Sequence, residues 1–298
     1  MMVTRDWFLT DTPASAWQAR AGRWYRVWLR TARSPAMLFG LAILALIVLC
    51  AVLAPWLAPF DPNAQDISRR LLPPGPVHWL GTDQLGRDLL SRVIYGAQPT
   101  LLIVVLVAVL SAPLGLAIGI SAGYFGGWVN TVLMRVTDIF MAFPRLVLAL
   151  ALVAVLGPGI VNAVIAIAIT AWPPYARIAR TETLSTKASD FLQAAKVQGL
   201  SDTRIVFGHL LPICLPSTVI RVTLDMAGII LTAAGLGFLG LGAQPPMSEW
   251  GAMIASGRQF IFDQWWVAAV PGVAILLGSL AFNLVGDGLR DVLDPRNG

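Results

Sequence analysis

One polar stretch interrupts the long apolar runs of this chain: residues 190–212 read DFLQAAKVQGLSDTRIVFGHLLP. Asp190 is suited to cap a short helix over residues 191–198, because its carboxylate can accept the free N–H groups of the first turn. Gly199 follows where a helix needs a residue that tolerates a left-handed conformation. The stretch therefore predicts a short helix that ends in a glycine turn.

A second helix is predicted to follow the turn. Ser201 and Asp202 both offer a side-chain cap, and Pro212 is expected to break the chain before the next apolar run. Small side chains at Ala194 and Ala195 would allow another protein to approach the first helix closely. On these residues alone, two interpretations are equally good: a docking element for another protein, and an amphipathic surface loop with a glycine hinge.

The composition indicates a membrane protein. Of 298 residues, 57% are hydrophobic and 12% are charged, with a mean hydropathy of +0.73 and a net charge of +5. Basic residues lie near the ends of apolar runs and are not interleaved with exposed aromatics, which argues against nucleic-acid binding. Cys50 and Cys214 lie far apart, and the chain has only two histidines, so neither a disulfide framework nor a metal site is expected.

The uncharged runs predict an all-α polytopic fold with six membrane-spanning helices, because helices satisfy their own backbone hydrogen bonds in lipid. The expected spans are 36–57, 99–121, 131–156, 160–175, 215–241 and 264–285.

The expected organisation has four parts. A tail over residues 1–35, rich in arginine and tryptophan, precedes the first span and an outer loop at 36–98. The tail is suited either to lie along the lipid headgroups or simply to fix the orientation of the chain in the membrane. A core of five spans at 99–286 contains an inner loop at 176–214, and residues 287–298 form a second tail. Most of the 21 basic residues fall inside if the amino terminus is inside, so both termini and the inner loop are expected to be cytoplasmic.

Charged residues within the predicted spans are candidate functional groups, because such charges are costly in lipid. Arg221 and Asp225 are spaced to pair on one helical face, and Asp138 has Arg135 one turn before it and Arg145 two turns after it. Structural pairing across the bundle and lining of a pathway that binds peptide termini are both open.

The polar stretch resembles the cytoplasmic EAA loop of bacterial ABC importer permeases, which docks into the ATPase subunit. The resemblance rests on the two alanines at 194 and 195, the glycine four residues later at 199, and the Leu-Pro pair at 211 and 212. It assigns ATPase coupling to Gln193, Ala194, Ala195, Gly199, Leu211 and Pro212. Gln193 stands where the family has its leading glutamate.

Three further segments resemble the C-type permeases of peptide and nickel importers: 78–97, 238–251 and 283–296. The fifth span departs slightly, with Ala233 where relatives often carry glutamate. In the first segment Thr82 or Asp83 is expected to cap a helix that presents charge at the periplasmic rim, for gating or receptor contact, or simply as a solvated interfacial helix. The rim candidates are Asp83, Arg87, Asp88 and Arg92.

The resemblance implies the type I ABC importer permease fold in a non-catalytic subunit of the bacterial inner membrane. The implied partners are a homologous permease, two ABC ATPases, an extracytoplasmic substrate-binding protein and membrane lipid. This chain would bind no cofactor, since ATP and magnesium would lie on the ATPases. The implied cargo is a dipeptide or short oligopeptide, and nickel, metallophores or glutathione are alternatives.

Other classes of protein fit less well. Lys187 and Lys196 are not preceded by glycine-rich phosphate loops, so the chain is not expected to hydrolyse ATP itself. A membrane enzyme would need a nucleophile and base, or a second aspartate motif to accompany Gly286-Asp287-Gly288, and neither is evident. A gradient-driven transporter would more often show additional spans and an inverted repeat.

Overall fold

The computed structural model describes Trp7 and residues 15–293, apart from the side chains of residues 23, 24, 26–28, 30, 33 and 293. The rest of 1–14, and 294–298 of the predicted C-terminal tail, lie outside the described residues, as do the side chains of several arginines and tryptophans of the first tail.

Helices make up nearly all regular structure in the described part of the chain. Their bounds are α1 Ala16–Arg33, α2 Pro35–Val52, α3 Leu89–Phe125, α4 Gly127–Ala142, α5 Arg145–Leu156, α6 Ile160–Ala171, α7 Pro173–Lys187, α8 Asp190–Val197, α9 Asp202–Phe238, α10 Trp250–Gly257 and α11 Trp266–Leu293. A short helix, Ala54–Leu57, follows α2. We call the end of the bundle where α3 finishes and α9 begins the loop end, and the other the far end.

Four of the described helices, α2, α3, α9 and α11, are long and apolar enough to cross a membrane, and α4 with α5 would make a fifth if the bent pair is one span. The expected span at 160–175 corresponds to the 12 residues of α6, which run into α7 after a single residue. The number of crossings, expected to be six, therefore stays a prediction, whereas the all-helical fold is confirmed.

The helix that contains the expected second span begins ten residues before it. The predicted span starts at Pro99, whereas α3 starts at Leu89 and contains both Pro99 and Pro113 over its 37 residues. The apolar run begins late because Arg92 lies in the first turn of α3, where it is buried and hydrogen-bonded. A helix can therefore start well before its uncharged part.

The expected third span is bent. The axes of α4 and α5 meet at 92°, at a break formed by Phe143 and Pro144. The residue before a proline is disfavoured in the helical region, and Phe143 has an extended conformation. As a consequence Arg145 starts a new helix and does not share a face with Asp138.

Three glycines bring α3 into close contact with α7. A Cβ added to Gly115 would lie 2.6 Å from the Trp172 carbonyl oxygen, and one on Gly119 would lie 2.3 Å from the Ala176 carbonyl oxygen. Gly123 repeats this contact against the Thr183 side chain. Because the glycines are four residues apart they lie on one face, and they let the two backbones pack as small-residue seams do in membranes.

Candidate coupling loop and charge sites

The polar stretch forms the expected helix, turn and helix. α8 covers Asp190–Val197, and Gly199 has a φ of +79°, which confirms the left-handed turn. The Ser201 hydroxyl accepts a hydrogen bond from the Arg204 N–H at 3.4 Å, as expected of a cap. The first cap is one residue earlier than expected: Ser189 occupies the N-cap position and Asp190 is the first residue of the helix.

The two alanines of α8 differ in exposure. Ala195 is 8% exposed and lies with buried Leu192 against the rest of the chain, whereas Ala194 and Gln193 are exposed. Val197 is 89% exposed on the same short helix. The expectation that both alanines face a partner is therefore wrong for Ala195, because the side of α8 that carries Leu192 and Ala195 packs on the bundle.

Pro212 does not break the chain. The helix continues from Asp202 to Phe238 through a π-helical segment, Val206–Leu210, in which the Leu211 N–H bonds to the Val206 carbonyl. A proline ring clashes with the carbonyl four residues before it in a regular α-helix, and the wider π turn gives it room. Leu211 is half-buried and Pro212 is exposed.

A separate apolar cluster lies under the loop. Its members come from α3, α7, α8 and α9, so the short helix is packed against three long ones. The cluster consists of Leu116, Ile120, Tyr124, Ala179, Leu192, Ile205, Leu210 and Cys214.

The charged residues within the helices pair differently from the expectation. Arg145 Nη1 lies 2.7 Å from Asp225 Oδ1, and the Tyr175 hydroxyl donates to Asp225 Oδ2 at 2.8 Å. The expected pairing of Arg221 with Asp225 is wrong, because Asp225 is directed to α5 and α7. The three side chains join α5, α7 and α9 close to the 92° bend.

Two arginines retain unpaired N–H groups. Nε and Nη2 of Arg145 are buried and have no hydrogen-bond partner in the described part of the chain, and the same holds for Nε of Arg221. The Nε–Nη2 edge of a guanidinium is one that can bind a carboxylate through two parallel hydrogen bonds. Because Asp225 occupies only Nη1, this edge of Arg145 has no acceptor within the described part of the chain.

Asp138 pairs with Arg177, and not with Arg135 or Arg145. The Arg177 Nη2 to Asp138 Oδ1 distance is 2.7 Å, and both side chains are about half exposed. This pair joins α4 to α7 at a more open place than the Arg145–Asp225 pair, and such exposed pairs add little stability.

The candidate rim residues are buried. Asp83, Arg87, Asp88 and Arg92 are 2%, 6%, 2% and 5% exposed. Arg87 Nε lies 2.7 Å from Asp83 Oδ2, and Arg92 Nε lies 3.6 Å from the same oxygen. The expectation that this segment presents charge to solvent is wrong, because its charges neutralise one another inside the chain.

These buried charges hold the segment 58–88 on the first turn of α3. Asp88, and not Thr82 or Asp83, caps the helix: its Oδ2 accepts the Ser91 N–H at 2.8 Å, and its Oδ1 lies 2.9 Å from His78 Nδ1. Arg92 donates to the Pro62 carbonyl at 2.9 Å. Asp83 accepts backbone N–H groups within a tight turn and caps no helix.

Sequence reasoning missed several residues that organise these sites. Tyr175, Arg177 and Tyr124 are each the partner of a residue on another helix, and such partners cannot be identified without the fold. The glycine spacing at 115, 119 and 123 was a detectable signal, because small residues four apart in an apolar run are typical of close helix packing.

Together, the long apolar helices and the exposed helix–turn at one end are the features expected of a membrane permease subunit. Residues 115–298 match the model of the family described as binding-protein-dependent transport system inner membrane component. Residues 22–74 match the N-terminal TM domain of oligopeptide transport permease C. The chain belongs to this family of inner-membrane transport components.

Two curated relatives cover nearly the whole chain. The probable D,D-dipeptide transport system permease protein DdpC of Escherichia coli K12 is 46% identical over 265 residues, 89% of each chain. The di/tripeptide transport system permease protein DppC of Pseudomonas aeruginosa is 46% identical over 275 residues, 90% of this chain and 91% of the relative.

The fold is similar to a solved chain of the MetNI methionine ABC transporter. The TM-score is 0.56 at 19% identity, over 69% of this chain and 98% of the solved chain. At this identity the likeness shows the fold, which is that of a type I ABC importer permease, as expected.

Proposed function

We propose that this chain forms half of the translocation pathway of an ATP-driven importer of dipeptides or short oligopeptides. The observation that carries the proposal is the exposed face of α8 next to a left-handed Gly199, on a chain 46% identical to dipeptide permeases. A homologous permease would complete the pathway, two ABC ATPases would bind ATP and magnesium, and an extracytoplasmic binding protein would deliver the cargo.

The ATPase-coupling surface consists of the outward side of the loop. Gln193, Ala194 and Val197 are exposed there, and Gly199 sets the direction of the chain that follows. Ala195 and Leu211 hold this surface on the bundle from inside. The distribution of basic residues supports cytoplasmic termini and a cytoplasmic loop, where an ATPase would be.

Peptide is the favoured cargo because the relatives are named for dipeptide and di/tripeptide transport. Nickel, metallophores and glutathione remain alternatives within the same class of transporter. Arg145 supports a cargo with a carboxylate, since its unpaired Nε–Nη2 edge matches that group. Of the intramembrane charges, Asp138 would then belong to an exposed structural pair with Arg177, and Arg145 and Asp225 would line the pathway. Arg221 stays a further pathway candidate.

The 58–88 segment has a different role in this proposal. Because Asp83, Arg87, Asp88 and Arg92 are buried, we assign them to holding the segment on α3, and not to direct contact with a receptor.

The experiment that tests the proposal is co-purification of the chain with its operon neighbours, followed by an ATPase assay. Ala194→Arg places a large cation on the exposed face of α8, and Ala194→Ser is the matched control. We expect the ATPase to co-purify with the wild type and the serine variant but not with the arginine variant. Purification of the wild type alone, with transport driven by a proton gradient or with substrate cleavage, would favour a secondary transporter or a membrane enzyme.

A further inference from the structure

Tyr124 lies where the loop meets the longest described helices. It is the next-to-last residue of α3 and is 5% exposed, within the apolar cluster under α8. Phe125, the next residue, is 56% exposed. The function assigned above to the coupling loop gives Tyr124 no role.

Three separate segments place a polar group on Tyr124. Lys187, the last residue of α7, donates from Nζ to the Tyr124 carbonyl at 2.6 Å. The Nζ atoms of Lys187 and of Lys196, on α8, lie 5.7 Å and 5.9 Å from the centre of the tyrosine ring. The hydroxyl donates to the carboxylate of Asp202, the first residue of α9. Tyr124 thus contacts the chain before α8, within α8 and after the Gly199 turn.

These contacts are directional, unlike the surrounding apolar ones. Cations are attracted to the ring face, and a hydroxyl–carboxylate hydrogen bond holds only over a narrow range of distance and angle. Apolar contacts such as those of Leu192 and Ile205 are not directional. A displacement of the loop therefore changes the Tyr124 contacts first.

α3 connects this point to the far end of the bundle. Its loop-end half is packed on α7 through Gly115, Gly119 and Gly123, and its first turn holds segment 58–88 through Asp88 and Arg92. The helix is continuous over the 37 residues between these two attachments. A shift of α3 at Tyr124 would therefore also displace segment 58–88 at the far end.

We propose that Tyr124 transmits displacement of the coupling loop to α3, and that α3 carries it to segment 58–88. The inference rests on the proposed function, because it requires that the loop is moved by an ATPase and states which helix that movement reaches. For this the Tyr124 contacts must differ in free energy between the two states of the transporter. Tyr124 is a positioning residue and touches neither cargo nor nucleotide.

The test uses the complete transporter, with its ATPases and binding protein, reconstituted in liposomes. Peptide taken up per ATP hydrolysed is measured for Tyr124→Phe, which keeps the ring but loses the bond to Asp202, and for Tyr124→Leu, which loses both. Phe125→Leu is the matched control at the exposed neighbour: it removes an edge-on ring contact with Tyr124, at 5.2 Å between centroids, but keeps the tyrosine hydroxyl and both lysine contacts. Lys196→Met removes one of the two cations near the ring, and because Lys196 is exposed we expect the variant to fold.

We expect uptake per ATP to fall about tenfold or more in Tyr124→Leu and severalfold in Tyr124→Phe and Lys196→Met, while ATP hydrolysis persists. Phe125→Leu should retain the wild-type ratio. If uptake and hydrolysis fall together, so that the ratio stays at the wild-type value, Tyr124 is merely structural and the inference is wrong. A wild-type complex without binding-protein-stimulated ATP hydrolysis would instead refute the proposed function, and the inference with it.

Discussion

Arg145 and Asp225 meet at 2.7 Å between Nη1 and Oδ1, although 80 residues separate them along the chain. Arg145 is the first residue after the 92° bend between α4 and α5, and Asp225 lies in the middle of α9. The pair therefore fixes the start of α5 against a long helix, and it leaves one edge of the guanidinium without a partner.

The first prediction separates the two roles of Arg145. Arg145→Gln leaves Asp225 without a cationic partner and should lower the free energy of unfolding by about 3 kcal/mol. Arg145→Lys keeps the charge but loses the planar fork, so it should restore most of the stability while the KM for peptide uptake rises severalfold. Thermal unfolding in detergent and uptake in liposomes measure the two effects.

The double variant Arg145→Gln with Asp225→Asn is the control for this pair. It removes both charges and should be more stable than either single variant. A lysine variant with wild-type KM would show that the unpaired edge does not bind cargo.

The second prediction concerns the turn at Gly199. Its φ of +79° restricts which residue type fits there, whereas an added Cβ would meet no atom of the described residues within 4 Å. Gly199→Val should therefore strain the backbone by about 1–2 kcal/mol and redirect the loop without a steric clash. ATPase co-purification and uptake should fall severalfold, while the variant still inserts into the membrane.

Gly199→Asn is the matched control, since asparagine tolerates the left-handed region better than other residues. It should retain most uptake. Equal, wild-type uptake in both variants would mean that the turn geometry does not matter for coupling.

The third prediction compares a buried with an exposed ion pair. Asp83→Asn leaves Arg87 and Arg92 buried without their shared carboxylate, which should cost about 3–5 kcal/mol. Asp66→Asn breaks the Arg69 pair at 3.2 Å, where the side chains are 54% and 46% exposed, and should lower the free energy of unfolding far less than Asp83→Asn does. Thermal unfolding should clearly distinguish the two variants, and similar losses would contradict the internal charge network.

The parts of the fold that depend on local chemistry were predictable. Gly199 and Ser201 determine their turn and cap through their own backbone, and both features were expected from the sequence. Apolar runs located the long helices but not all of their ends: α3 begins ten residues before the predicted span, where Arg92 lies inside the helix, and α9 begins thirteen residues before the predicted span. In the sequence, a charged residue that is buried and paired inside a helix cannot be distinguished from one that marks the end of a span.

The pairings were not predictable, because they depend on which helices become neighbours. Arg221 has the right spacing to pair with Asp225, yet the bend at Pro144 brings Arg145 to that carboxylate instead. Likewise, Ala194 and Ala195 are the same residue type, and only the packing of α8 on the bundle decides which one faces outwards.

The last prediction is a pH dependence from Glu249, which lies in the connection between α9 and α11 and caps α10. Its side chain is 2% exposed, and burial raises its pKa, although the N–H groups of Gly251 and Ala252 oppose this at 2.8 Å and 2.9 Å. A carboxyl whose pKa is higher in the folded chain binds its proton more tightly there than in the unfolded chain. Its contribution to stability is therefore fully present below the unfolded pKa of about 4.3, and it is lost as the pH rises through the folded pKa. The melting temperature of the wild type should therefore fall relative to that of Glu249→Gln as the pH rises from 4 to 7. A difference between the two proteins that does not change with pH would show that Glu249 does not titrate in this range, because every other carboxyl is common to both.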